Sequence, residues 1–539
     1  MQRLRPAVTV ALGALALGCL PSAAGAQTRP ATSHLVDQAT TGLGGRSALR
    51  GLRTFRLQTS GRAWILDEGL RPDNTVTQAS TFTETLDYEL HAAGDRVRVD
   101  SVRTSQGTAR RISEVIAGRL GYLSGVDSNG GSPATAAMPS DRWAAVRREQ
   151  RLLNPQLILR ALIARPQLAS TAPARTLDGR PHRVLVVRDA VAPIRLYVDA
   201  RTGRIDRLTT EDHQYLRRDV RLIVDYRRWQ FARAATGRSP RVRIRFPRTV
   251  SIRVDGATIH TETRTSVALN RPASAARFRF PAGVSPRFDT TLAARGERTT
   301  EWLMSFAQFG FPKDGPADAI APRIVAPGNT LIQGIPNNSL IVEQSNGIVV
   351  VEGALSDLRA EALIRYINAT YPGKPIRAVT ASHHHADHAG GMRPFVALGA
   401  TAILGQEAVP LFRRAFADRS SRLLPDRLDR TNRAATIRTV PSSGFITLED
   451  PVRPVMVLAE PTQHATTTIL VFMPNEGVLF VNGDTYTPGA PVGPGAAALE
   501  RTIEANQLDV RWIVGGHGTV VAYRDFRAAL GLGLVAPPA

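Results

Sequence analysis

The chain has 539 residues, enough for three or four units of ordinary size, or for two if one is a large β-rich layer. Hydrophobic residues at 43% and charged residues at 21% exclude wholesale disorder, a collagen repeat and a multi-span membrane protein. The single cysteine, Cys19, rules out a disulfide framework and any thiolate zinc site, so metal chemistry would fall to His and Asp. Basic residues outnumber acidic ones by 68 to 46, and Lys313 and Lys374 are the only lysines. The excess sits in the first 320 residues, with 49 basic against 28 acidic; from Ala321 onward the balance is 19 against 18. Such a field could draw the protein to an anionic envelope surface. The arginines alternate with apolar residues, as in Arg241-Val242-Arg243-Ile244-Arg245-Phe246, with no aromatic stacking platform between them. That pattern fits solvated strand faces and argues against a nucleic-acid partner.

In chain order, Arg3 and Arg5 precede the apolar run Ala7 to Leu20, and Ala24-Gly25-Ala26 supplies small residues for a peptidase. Residues 1–26 therefore read as a secretory signal, too short to span a bilayer, and the expected location is periplasmic or secreted. Acylation at Cys19 is the alternative, although Ala16-Leu17-Gly18-Cys19 departs from a lipoprotein signal. A helical start over Ser33 to Gly42 then meets Gly44-Gly45. Period-two runs follow at Arg53 to Ala63, Thr81 to Leu90, Arg96 to Val102, Arg183 to Val187, Ile194 to Val198, Arg221 to Tyr226 and Arg248 to Val254. Asp178-Gly179, Thr202-Gly203 and Asp255-Gly256 mark turns among them. The spacing predicts a mostly antiparallel β domain over 27–285, with a helical interlude at Ser140 to Ala164. The Gly-Gly opening, the run Leu196-Tyr197-Val198-Asp199-Ala200-Arg201-Thr202-Gly203 and Val224-Asp225-Tyr226 loosely resemble lipoprotein-carrier (LolA/LolB-like) domains. That resemblance brings no catalytic residue and implies an apolar or acylated ligand. A stretch over 286–320 reads as a linker with a short helix near Trp302 to Phe309.

From Ala321 to the C-terminus, strand and helix alternate. Leu340 to Val342, Gly347 to Val351 and Ile376 to Ala381 read as buried strands, and Ser356 to Thr370 as a helix capped by Ser356. Thr466 to Phe472, Val478 to Val481 and Val510 to Val514 are further expected strands. The strand ending at Ala381 runs into Ser382-His383-His384-His385-Ala386-Asp387-His388. In extended backbone His383 and His385 face the same side and can grip one metal, while His384 points away and serves as a structural or solvent-facing neighbour. Asp387 and His388 come from the next bend to hold a second. Six of the eleven histidines lie between His383 and His517, and imidazole with carboxylate suits zinc, iron or manganese. His464, Asp484 and His517 stand at strand edges on what would be one rim. Asn482 and Tyr486 flank Asp484 and could orient it or a substrate, whereas His34, His91, His182, His213 and His260 show no ligand spacing.

This constellation resembles the metallo-β-lactamase-fold hydrolase superfamily from Pro322 onward. The resemblance implies an αββα four-layer sandwich and a two-cation site, zinc first among the candidates. It gives His383, His385 and His464 to one metal, Asp387, His388 and His517 to the other, and Asp484 to the bridge between them. The implied activity is exported hydrolysis of an ester, lactone, thioester or amide by a metal-bridging hydroxide, with Asp387 as the catalytic carboxylate. The usual Gly-His-Thr-x-Gly around the third His is Thr462-Gln463-His464-Ala465-Thr466 here. That departure turns the expectation away from a β-lactamase or a glutathione thioesterase. Two rivals stand beside it: an iron-dependent oxidoreductase of the same fold, and a non-catalytic envelope binding protein whose metals only hold its fold.

Overall fold

A computed structural model describes residues 28–72, 76–91, 94–105, 107–125, 134–233, 242–271, 274–300, 303, 320–334 and 336–533. The expected secretory signal, Cys19 and most of the expected helix at 302–309 lie outside them.

The N-terminal domain is built on a 13-stranded sheet in which every paired neighbour is antiparallel. Two meanders meet where the first strand, Thr54–Leu66, pairs with the last, Ala257–Leu269, from Phe55 opposite Leu269 to Ala63 opposite His260. Strand Arg96–Ser105 buries every second residue, the period a half-covered sheet imposes. The covering elements are helices Thr28–Gly42, Arg46–Gly51, Ser140–Leu153 and Pro155–Ala164, whose Leu35, Leu49, Trp143, Leu152 and Leu159 join the sheet's apolar side chains in one core. The expected helical interlude is two helices because Pro155 cannot continue the first; Asn154 sits at the break. Strand expectations were met in position but run longer, as in Arg218–Arg233 and Arg243–Val254. Helix Thr290–Arg298, inside the stretch expected as a linker, packs on this domain: Asp289 caps it, and Gly296 lies so close to Asp141 that a Cβ would collide with backbone.

The C-terminal domain is two sheets face to face. One has seven strands, from Ala321–Ala326 to Ile437–Val440; the other has six, from Phe445–Leu448 to Val520–Ala522. Alternation sorts the strands' apolar residues into three cores. Leu340, Val342, Val349 and Val351 meet Val455, Val471, Phe480 and Val514 between the sheets. Ile341, Ile348 and Val350 point the other way, under helices Asp357–Thr370, Met392–Leu398 and Val409–Ala417. Leu470, Leu479 and Ile513 pack beneath helix Pro494–Ala505. Helix, sheet, sheet, helix is the four-layer sandwich expected. Ser356 caps Asp357–Thr370 by accepting from the Arg359 amide. One expected strand is corrected: 466–472 is extended only from Ile469 to Met473. Thr467 and Thr468 are held out of the ladder by side-chain bonds, Thr467 Oγ1 to His384 and Thr468 Oγ1 to the Ala465 carbonyl.

Candidate metal centre

The site grows from strand ends. Strand Ile376–Thr380 delivers Ser382 to His385; the short helix Ala386–Ala389 then turns Asp387 and His388 back toward them. His464 arrives in the loop before Ile469–Met473, Asp484 after Val478–Val481, and His517 after Trp512–Gly515. Gly483, at φ 93°, abuts the His517 backbone, where any Cβ would collide, so glycine is what lets these last two loops close.

All seven expected side chains converge. His383, His385 and His464 place ring nitrogens within 4.8 Å of one another, as do the donor atoms of Asp387, His388 and His517. A third group, His383, His388 and Asp484, straddles the two and puts Asp484 between them. His383 and His464 oppose Nε2 to Nε2 at 3.2 Å, and Asp484 Oδ2 lies 3.0 Å from His388 Nε2 and 3.5 Å from His464 Nε2. Asp484 Oδ1 is 3.5 Å from His517 Nε2. Two ligands of one tetrahedral zinc sit about 3.3 Å apart when each bond is about 2.05 Å. Nitrogen and oxygen donors at such spacings, with Asp387 Oδ1 buried and lacking a hydrogen-bond partner, form a donor set that fits divalent cations.

The outer atoms fix which nitrogen faces inward. Glu352, fully buried at φ 76° just past Gly347–Val351, accepts from His388 Nδ1, from the Ser382 amide at 2.6 Å and from Ser382 Oγ at 2.8 Å. His517 Nδ1 donates to the Pro336 carbonyl at 3.0 Å, leaving its Nε2 inward. Asn337 Nδ2 reaches Asp387 Oδ2 at 3.3 Å. Such partners orient ligands and raise their basicity.

Electrostatics follow from crowding. Burial and then the imidazoles of His388, His385 and His464 hold His383 well below the ordinary histidine range, so its lone pair is free. Burial and His464 do the same to His385. Burial works against protonating His388 too, but the carboxylates of Asp387, Glu352 and Asp484 outweigh it and raise it well above that range. Burial would raise Asp484, yet His517, His464 and His388 keep it far below the usual carboxylate range.

His384 is not solvent-facing: it is fully buried and hydrogen-bonded through Nδ1 to Thr467 Oγ1 at 2.7 Å. Asn482 closes the turn that carries Asp484 by bonding Thr485, and Tyr486 packs in the helix-side core against Phe526. Glu352, Asn337 and the Pro336 carbonyl were not foreseen; an acid directly after a run of five buried residues was the legible signal for Glu352. Among the early histidines, buried His182 joins Asp199 and Asp206 in a ligand-like cluster, but Arg180 bridges both carboxylates, at 3.1 and 2.8 Å.

The family model described as the metallo-beta-lactamase superfamily matches residues 332–517. No curated protein sequence matches the chain. Among solved structures, the chain is similar to the DIM-1 metallo-beta-lactamase at 15% identity, with 40% of this chain and 96% of that chain covered and a TM-score of 0.30. It is similar to a stereoselective inverting sec-alkylsulfatase from Pseudomonas sp. at 17% identity, covering 39% of this chain and 40% of that one, TM-score 0.28. For the FIM-1 metallo-beta-lactamase from Pseudomonas aeruginosa the figures are 19%, 41%, 96% and 0.30. With the matched segment lying within the two-sheet sandwich, the C-terminal part of the chain is a domain of the metallo-beta-lactamase superfamily.

Proposed function

We propose that the protein is a dinuclear metal-dependent hydrolase of an ester, lactone, thioester or amide bond. The observation that carries this reading is the convergence of six imidazole and carboxylate side chains around Asp484, with outer acceptors turning His388 and His517 inward. His383, His385 and His464 would hold one cation, Asp387, His388 and His517 the other, and Asp484 would bridge. Two such cations, zinc first among the candidates and iron or manganese next, supply a water acidified from 15.7 toward about 7 and polarise the substrate oxygen. The chain's own groups do the rest. Asp387 leaves Oδ1 unengaged beside the centre, positioned to orient the nucleophile and pass a proton to the leaving group. His464 and Asp484 have the most exposed side chains of the seven, at 32% and 26%, so substrate enters from their side.

Export follows from the arginine-flanked apolar run at residues 7–20, and the basic N-terminal part would favour an anionic envelope surface. The substrate is a small molecule. The covered face of the N-terminal sheet is filled by its helices: Arg103 and Arg264 of the strands and Arg142 and Arg148 of helix Ser140–Leu153 are buried there with their acidic partners. That filling favours hydrolysis at the C-terminal domain over carriage of an apolar ligand within the N-terminal one. The test is Asp387→Ala in the full chain. Turnover of a lactone, thioester and aryl-ester panel should vanish while the circular dichroism spectrum and thermal midpoint stay native. Full retained activity refutes the mechanism, and iron with oxygen consumption in the purified protein would replace hydrolysis by oxidation.

A further inference from the structure

The N-terminal domain reaches into the metal centre. Strand Thr54–Leu66 ends at Asp67, a buried non-glycine residue in the left-handed region at φ 60°. Both its carboxylate oxygens are gripped by the Arg217 guanidinium, at 2.6 and 2.8 Å. A strained residue so held fixes the next three. Glu68 Oε1 accepts from the Ala386 amide at 3.1 Å, and its Oε2 stands 3.2 Å from His385 Nδ1. The Gly69 carbonyl accepts from His385 Nε2 at 2.9 Å, and the Leu70 carbonyl from the Thr466 amide at 2.8 Å. Glu68, His385 and Asp387 bring donor atoms within 4.8 Å of one another, a grouping that extends the seven-residue set by one residue from a different domain.

We propose that this turn is a working wall of the metal centre, with Gly69 positioning His385 and Glu68 adding a further donor beside it. Because Gly69 takes the Nε2 proton, the nitrogen left to bind a cation is Nδ1, the atom that Glu68 faces. A spacing of 3.2 Å suits two donors addressing one cation. The Ala386 contact ties the same carboxylate to the backbone between His385 and Asp387, so one side chain sets both histidine and acid. The C-terminal domain alone would thus carry an incompletely oriented centre. The inference rests on the two-cation reading above.

The experiment uses the full chain and compares wild type with Glu68→Gln and Glu68→Ala. Zinc affinity is read by chelator competition, and ligand geometry by the visible spectrum of the cobalt-substituted protein. Both variants should bind zinc about 10- to 100-fold more weakly and shift the cobalt bands, with metal-free thermal midpoints unchanged. Glu68→Gln is isosteric and keeps an acceptor for Ala386, so it remains informative if the alanine variant fails to fold. Wild-type affinity and spectrum in Glu68→Gln would overturn the proposal. A wild-type protein that takes up no metal at all would instead overturn the two-cation reading beneath it.

Discussion

For His383, His385, His388 and His517 the outward nitrogen is engaged by a protein oxygen, and Glu352 does this with the most contacts. It is buried, at a positive φ that a branched or bulky residue would tolerate poorly, and it accepts from three donors of Ser382 and His388. A charged acceptor is required twice over. It neutralises His388 when no cation is bound, and it raises the basicity of His388 Nε2 when one is. Glu352→Gln keeps the shape and removes the charge, so zinc affinity measured by chelator competition should fall about 10- to 100-fold. Glu352→Ala should go further and destabilise the fold, since each buried donor left unpaired costs about 1 to 3 kcal/mol; thermal unfolding of the metal-free protein would register it.

Elements show how far the residues announce their own arrangement. The strand Gly347–Val351 and the helix after Ser356 were legible because five buried β-branched or apolar residues, then a serine cap, have few alternative conformations. So was the ligand set, because H-x-H-x-D-H after a strand constrains its own geometry. Strands Thr108–Ala117 and Ala257–Leu269 were not legible. Sequences such as Thr-Ile-His-Thr-Glu-Thr-Arg-Thr place polar side chains on both faces, and pairing partners, not local period, decide them. Glu68 was invisible for a related reason: its role depends on a contact 317 positions away along the chain, for which local spacing holds no signal.

The end of strand Ile205–Gln214, paired with Arg218–Arg233, has the same character, and pH should expose it. His213 is buried, and burial followed by the Arg218 charge lowers it to about 4 despite its bond to Asp219. Asp219 and His213 both contact Ser421 of the C-terminal domain. The unfolded chain protonates this histidine below about 6.5, while the folded chain does so only near 4. Unfolded protein then binds the extra proton throughout that window, so stability falls as pH falls from about 6.5 toward 4. Thermal midpoints of wild type and His213→Gln between pH 7 and 4.5 should converge as the pH drops, the variant having the flatter profile.

At the scale of the whole molecule, the two domains are locked by charge as well as by the turn at the metal centre. Arg218, itself at φ 66° and with its side chain 2% exposed, reaches Asp426 and Asp429 across the boundary. Arg393 of the C-terminal domain holds the same two carboxylates from the other side. Leu216, two residues before Arg218, packs in the helix-side core of that domain, and Arg295 pairs with Asp357 nearby. Four charges removed from water balance only as a set. Arg218→Met leaves two buried carboxylates to one guanidinium, at a cost of about 3 to 5 kcal/mol. Because that loss falls on the boundary and not inside either core, calorimetry should see wild type unfold in one transition and Arg218→Met in two. Zinc should raise the transition of the C-terminal sandwich, which holds the seven-residue centre. It should raise the other transition as well, because the turn at Glu68 and Gly69 binds the same centre from the N-terminal domain. A single transition in the variant, unmoved by zinc, would mean that the domains are coupled through contacts other than these.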